Sequence, residues 1–169
     1  MNAVVITVSD SCFAGLREDR SGPAVAARLR HAGFSVERIL ILPDEQDQIA
    51  STLRQQAARA QLVVTTGGTG ISPRDVTPEA TRSICERILD GFGELMRSEG
   101  AKDTPIAAMS RAVSGTLGSS LIVNVPGSPK AAVQSLDAVL HLIPHALALL
   151  SGDTRHSEEP PHDATGHVR

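Results

Sequence analysis

The run Leu62-Val63-Val64-Thr65-Thr66-Gly67-Gly68-Thr69-Gly70 decides the fold class. A short apolar, β-branched stretch that gives way at once to glycine reads as a strand covered on both faces, as in a parallel sheet. The glycines that follow let main-chain N–H groups approach an anion without interference from Cβ atoms. No Gly-Lys-Ser/Thr follows them and their spacing is not G-x-G-x-x-G, which disfavours the two common nucleotide loops. A tight turn is the alternative use of the same glycines.

Working outward, three further runs read as strands: Ala3 to Val8, Ser35 to Leu42 and Ser120 to Val125. Helical stretches lie between and after them, at about Gly22 to His31, Glu45 to Ala60, Pro78 to Leu89 and Pro129 to Leu150, with a shorter one near Glu94 to Glu99. Strand and helix alternate, so the expectation is an α/β domain with helices on both faces of a mostly parallel sheet. In the last helix Val133, Leu136, Leu140, Ile143, Leu147 and Leu150 form one apolar stripe, and Pro144 predicts a kink or a break within it. Thr77-Pro78 and Ser128-Pro129 read as helix starts, each a hydroxyl N-cap followed by proline at the first helical position.

The domain is expected over residues 1–151. The remainder, 152–169, is polar with Pro160-Pro161 and three histidines and reads as a disordered tail, with a loose metal-binding tract as the alternative. Apolar residues make up 41% and charged residues 21% of the 169-residue chain, a globular composition. The formal charge of -3, with no Trp or Tyr and three Phe, provides neither the basic field nor the aromatic platforms of a nucleic-acid binder. No stretch approaches the ~20 apolar residues of a membrane span, and the N-terminus has no signal-peptide pattern. Cys12 and Cys85 have no C-x-x-C spacing and no activating basic neighbour in sequence, so both read as packing residues of a cytoplasmic protein.

In an open α/β sheet ligands bind beyond the carboxyl ends of the parallel strands. The four strands are followed by Ser9-Asp10-Ser11, Pro43-Asp44-Glu45, Gly67-Gly68-Thr69-Gly70 and Pro126-Gly127-Ser128-Pro129-Lys130, so parallel strands would bring all four loops to one edge. Asp44 and Asp75 would then point into one crevice. Two carboxylates about 5 Å apart repel by roughly 3 kcal/mol at an effective dielectric near 20. A bound Mg²⁺ removes that repulsion, and this ion commonly joins one or two carboxylates to phosphate oxygens. The alternative is that Asp44 caps the following helix and Asp75 is tied into its own turn. Ser128 as N-cap with Lys130 in the first turn suits an anion, since a cation there is otherwise unfavourable to the helix dipole. Arg74 and Arg111 are further candidate anion ligands.

The long run Thr65-Thr66-Gly67-Gly68-Thr69-Gly70-Ile71-Ser72-Pro73-Arg74-Asp75-Val76-Thr77-Pro78-Glu79-Ala80-Thr81 resembles the signature of the MogA, MoaB and gephyrin G-domain family. Pro43-Asp44-Glu45-Gln46, Gly91-Phe92-Gly93-Glu94, Ser110-Arg111-Ala112 and Asn124-Val125-Pro126-Gly127-Ser128-Pro129-Lys130-Ala131 match it too. The likeness extends from Ala3 to about Leu150. It implies a three-layer α/β/α sandwich, usually trimeric and in some members hexameric. The implied reaction joins molybdopterin and MgATP to give adenylyl-molybdopterin and pyrophosphate, in company with other molybdenum cofactor biosynthesis proteins.

The resemblance also places catalysis and Mg²⁺ on Asp44 and Asp75. Ligand binding is expected at Ser9, Asp10, Thr66, Gly67, Gly68, Thr69 and Gly70, with Glu94, Ser110, Arg111, Pro126, Gly127, Ser128 and Lys130 completing the set. Two other members of this structural class compete: a MoaB-type protein that binds the pterin without adenylating it, and a CinA-like nucleotide pyrophosphatase. The latter's loop has Gly-Leu-Gly and a paired Asp-Asp where this chain has Gly-Thr-Gly and Arg74-Asp75. A gephyrin-like scaffold would need additional modules.

Overall fold

The computed structural model describes residues 1–152. In chain order the elements are β1 (Asn2–Val8), α1 (Asp10–Phe13), α2 (Ser21–His31), β2 (Ser35–Leu42), α3 (Gln46–Ala57) and β3 (Leu62–Thr66). They continue with α4 (Thr77–Arg82), β4 (Arg87–Ile88), α5 (Asp90–Ala101), a 3-10 turn at Pro105–Met109, β5 (Ser114–Leu117), β6 (Ser120–Val125), α6 (Pro129–Leu140) and α7 (Ile143–Leu150). The expected tail and its histidines lie, from residue 153 onward, outside the described residues.

The six strands form one sheet in the order β2-β1-β3-β6-β5-β4. β2, β1, β3 and β6 are mutually parallel, whereas β5 runs antiparallel to β6 and β4 antiparallel to β5. Alternate residues of the parallel strands feed two cores, as the period of two requires. Val5, Val64 and Val123 pack with Val25 and Leu29 of α2, Leu136 of α6 and Ile143 of α7. On the other face Val4, Ile6, Val63 and Ile122 pack with Ile49 and Leu53 of α3 and Ala80 of α4. Helices therefore cover both faces of a mostly parallel sheet, as expected.

Three expectations are corrected. The helix expected from Pro78 to Leu89 ends at Arg82, because the chain then turns to pair with β5: Glu86 donates to Thr116 O at 2.8 Å and Leu89 to Ser114 O at 2.8 Å. β4 and β5 lacked a sequence signal because Arg87-Ile88 is too short and Ser114-Gly115-Thr116-Leu117 has no apolar alternation. α5 extends over Asp90–Ala101 rather than Glu94 to Glu99. Gly91, Gly93 and Gly100 lower its intrinsic propensity, but packing overrides this. A Cβ at Gly93 would lie 2.9 Å from Ala112 O and one at Gly100 2.8 Å from Ala107 Cβ, so two of the three glycines permit close approach.

The break near Pro144 is present: α6 and α7 meet at 59°, and the proline sits in the first turn of α7, where its missing N–H is no loss. No single helix among the described residues is long and apolar enough to cross a membrane.

Candidate functional site

The strand order places a topological switch point between β1 and β3: the chain leaving β1 moves toward β2, and the chain leaving β3 moves toward β6. The crevice beyond these two carboxyl ends is where such sheets hold ligands. Gly67 enters it with φ +100, its N–H donating to Val125 O at 3.1 Å, and a Cβ there would overlap the Val8 carbonyl. Gly68 follows at φ +61. Its Cβ position is taken by the Thr77 hydroxyl, with Asp44 Oδ1 3.0 Å away. Thr77 closes the loop by donating from Oγ1 to Gly67 O at 2.9 Å and from its N–H to Gly68 O at 3.1 Å. It is therefore the first residue of α4, whose N-cap position falls to Val76, and not the hydroxyl cap the sequence suggests.

Asp44 and Asp75 are brought to one cavity of about 550 Å³, lined also by Ser9, Cys12, Thr66, Gly67, Gly68, Gly127 and Ser128. Asp44 does not cap α3, whose N-cap is Glu45 with no side-chain cap bond. Its Oδ2 instead accepts the Asp10 N–H at 2.9 Å, while the Asp44 N–H donates to Asp10 Oδ1 at 3.0 Å. Asp75 is half tied into its own turn, since Oδ2 accepts the Ser72 N–H at 2.8 Å. Burial is the main reason the Asp44 carboxyl lies above its ordinary value; the charges of Asp10 and Asp75 push the same way, and the Asp10 N–H pulls it back. Asp10 itself is held below the ordinary value, first by hydrogen bonds from Arg74.

A second cavity of about 450 Å³ shares Gly68, Asp75, Gly127 and Ser128 with the first and is lined by Ile71, Met96, Ile106 and Met109. The shared residues form a ridge with a polar space on one side and an apolar one on the other. Thr69, Gly70, Ser110 and Pro126 also line the apolar space. Ser128 is the N-cap of α6, with a side chain that makes no cap bond.

The remaining candidates lie elsewhere. Arg111 turns inward: it donates to Gly70 O and Asp75 O at 2.6 Å each and pairs with Glu79, while its N–H donates to Thr69 O at 2.9 Å. Its donors are thus spent on the chain itself and it braces the loop. Lys130 is exposed and pairs with Asp103 at 3.1 Å, on a face lined by Glu99 and Asp137. Glu94 is exposed and lines neither cavity. Cys12 is buried, and burial pushes the Cys85 thiol up to about 11, in keeping with packing roles.

Asp19 escaped the sequence reading. It accepts from Thr7 Oγ1 at 2.7 Å and from the Gly22 N–H at 3.0 Å, fixing the start of α2 beside the polar cavity. The only sequence signal was an Asp shortly before Ser21-Gly22-Pro23.

A family described as probable molybdopterin binding domain matches residues 4–145. The chain belongs to this family. A molybdopterin adenylyltransferase of Helicobacter pylori strain J99 is 42% identical over 156 residues, covering 88% of this chain and 87% of that protein. The molybdopterin biosynthesis enzyme MoaB of Thermus thermophilus is 46% identical at a TM-score of 0.84, covering 89% and 96% of the two chains. The Mog protein of Mycobacterium ulcerans is 33% identical at a TM-score of 0.83, with 89% and 97% covered. The family's likeness thus spans the whole sheet and both sides of the crevice.

Proposed function

We propose that this chain is a molybdopterin adenylyltransferase that moves AMP from ATP to the terminal phosphate of molybdopterin with the help of Mg²⁺. The observation that carries the reading is the convergence of Asp44 and Asp75 on one cavity beside Gly68 and the Ser128 end of α6. A reaction of two bulky substrates needs two spaces meeting at one reacting centre, and the ridge of Gly68, Asp75, Gly127 and Ser128 borders both cavities.

The donor set fits Mg²⁺. Asp44 and Asp75 each use one carboxylate oxygen within the protein, leaving Oδ1 of each for a cation. Among the described residues no group of three His, Cys, Asp or Glu could hold a metal, which suits an ion completed by phosphate oxygens and water. When bound, the ion would neutralise charge on the reacting phosphate oxygens.

The chain's own residues would then do the following. A phosphate oxygen of molybdopterin attacks the α-phosphorus of ATP as the α–β bridging bond breaks and pyrophosphate leaves. That nucleophile is already ionised, so no general base is required. Catalysis comes from positioning and from N–H donors aimed at developing charge. The N–H groups of Gly68, Thr69 and Gly70 have no acceptor among the described residues and are available for phosphate oxygens. Met96, Ile106 and Met109 line the space suited to a flat ring and exclude water from it.

The test is whether the purified protein releases pyrophosphate from MgATP only when molybdopterin is present. Binding of molybdopterin without release would favour the MoaB-type reading, which the 46% identity to the Thermus protein keeps in view. In the same reading the protein works in the cytoplasm as a homotrimer, and sedimentation equilibrium reports the assembly.

A further inference from the structure

We propose that the Asp10–Arg74 pair is a positioning latch that joins the loops carrying Asp44 and Asp75 and thereby sets how tightly those carboxylates take a divalent cation. The inference rests on the proposed metal role of Asp44 and Asp75. Neither Asp10 nor Arg74 is required to touch the ligand.

Three loops from distant parts of the chain must agree for Asp44 and Asp75 to share a cation. Arg74 donates from Nε to Asp10 Oδ2 and from Nη2 to Asp10 Oδ1, each at 3.0 Å, and Nη2 also reaches Glu45 Oε1 at 3.0 Å. Asp10 in turn makes the reciprocal pair of main-chain bonds with Asp44. One guanidinium therefore ties the residue preceding Asp75 to the residue following Asp44, through the only side chain that holds Asp44 by both its backbone and its carboxylate among the described residues. A planar fork suits this bridging, and a lysine cannot reproduce it.

Global stability is a poor explanation for the arrangement. Arg74 and Asp10 side chains are 54% and 47% exposed, and exposed pairs contribute little to folding. Local order is the better one. Asp10, Asp44, Glu45 and Asp75 place like charge around one mouth, and Arg74 opposes its spreading.

The sign of one substitution separates positioning from simple electrostatics. Arg74→Ala deletes a positive charge beside the carboxylates, so Coulomb attraction alone predicts tighter cation binding. The latch predicts weaker binding. Mn²⁺ alone is titrated into the full-length protein and followed by water-proton relaxation, for wild type, Arg74→Ala, Arg74→Lys and Asp75→Asn. The expected result is a loss of about three- to tenfold in Mn²⁺ affinity for Arg74→Ala, in the range of couplings within one salt-bridge network. Arg74→Lys should fall between, with an unchanged melting temperature in both. Equal or tighter Mn²⁺ binding by Arg74→Ala, while Asp75→Asn binds more weakly than wild type, overturns the latch and leaves the metal reading standing. Wild-type affinity in Asp75→Asn overturns the metal reading, and the latch with it.

Discussion

Arg111 holds Asp75 by its backbone, donating from Nη2 to the Asp75 carbonyl oxygen at 2.6 Å. The arginine pairs instead with the Glu79 carboxylate, so the Asp75 side chain keeps its charge for the cavity. The same guanidinium binds Gly70 O, so one residue braces both ends of the Gly70 to Asp75 loop. Arg111→Lys cannot make these bonds together and would leave Glu79, whose Oε2 is already without a partner, poorly compensated. The expected loss is about 2–3 kcal/mol, the range of one or two hydrogen bonds to a charged group. Urea denaturation measures it, and a midpoint equal to wild type would show that the loop orders itself without the arginine.

Asp75→Asn should abolish adenylyl transfer while leaving the fold intact. The substitution keeps an oxygen for the Ser72 N–H, which Asp75 accepts at 2.8 Å, but removes the charge that faces the cavity. Circular dichroism should match wild type as pyrophosphate release disappears. Wild-type turnover would remove Asp75 from the mechanism.

Gly68→Ala separates the two uses of the glycine loop. The backbone there has φ +61, and the added methyl would point at the Thr77 hydroxyl and Asp44 Oδ1, not into open space. The cost should therefore fall on folding, at ~1 kcal/mol or more. A lowered denaturation midpoint is the expected outcome. Loss of ligand affinity at unchanged stability would instead mean that the glycine serves the ligand directly.

Asp44 makes the metal-free protein sensitive to pH. A carboxyl raised above its ordinary value, 3.8, binds more protons folded than unfolded. Its favourable contribution is thus complete below the unfolded value and is lost as pH rises through the folded one. Asp10, which is lowered, has the opposite sign: its contribution is present above the unfolded value and is lost as pH falls through the folded one. With EDTA present, Asp44→Asn should melt about 1–2 °C above wild type at pH 7, a fraction of a kcal/mol for a domain this size. The gap should close as pH falls toward 4. A variant less stable than wild type at pH 7 would show that Asp44 is well accommodated when charged.

Local pattern determined much of this protein. The apolar run Leu62–Thr66 is a central strand with neighbours on both sides, as its unbroken hydrophobicity demands. Asp44 and Asp75 were legible as a pair because each follows a parallel strand, and parallel strands deliver their loops to one edge. Tertiary structure decided the rest. Whether Arg111 faces a ligand or the protein depends on carbonyls at Gly70 and Asp75, which are far from it in sequence and carry no residue-specific signal. Lys130 follows a helix start suited to anions, yet its side chain leaves that end to meet Asp103. β4 and β5 exist because β6 offers an edge to pair with, and α5 spans its glycines because neighbours approach them closely. Sequence specifies the periodicity and chemistry of each segment; which donors and acceptors remain free is set only when the backbone groups of distant segments have chosen their partners.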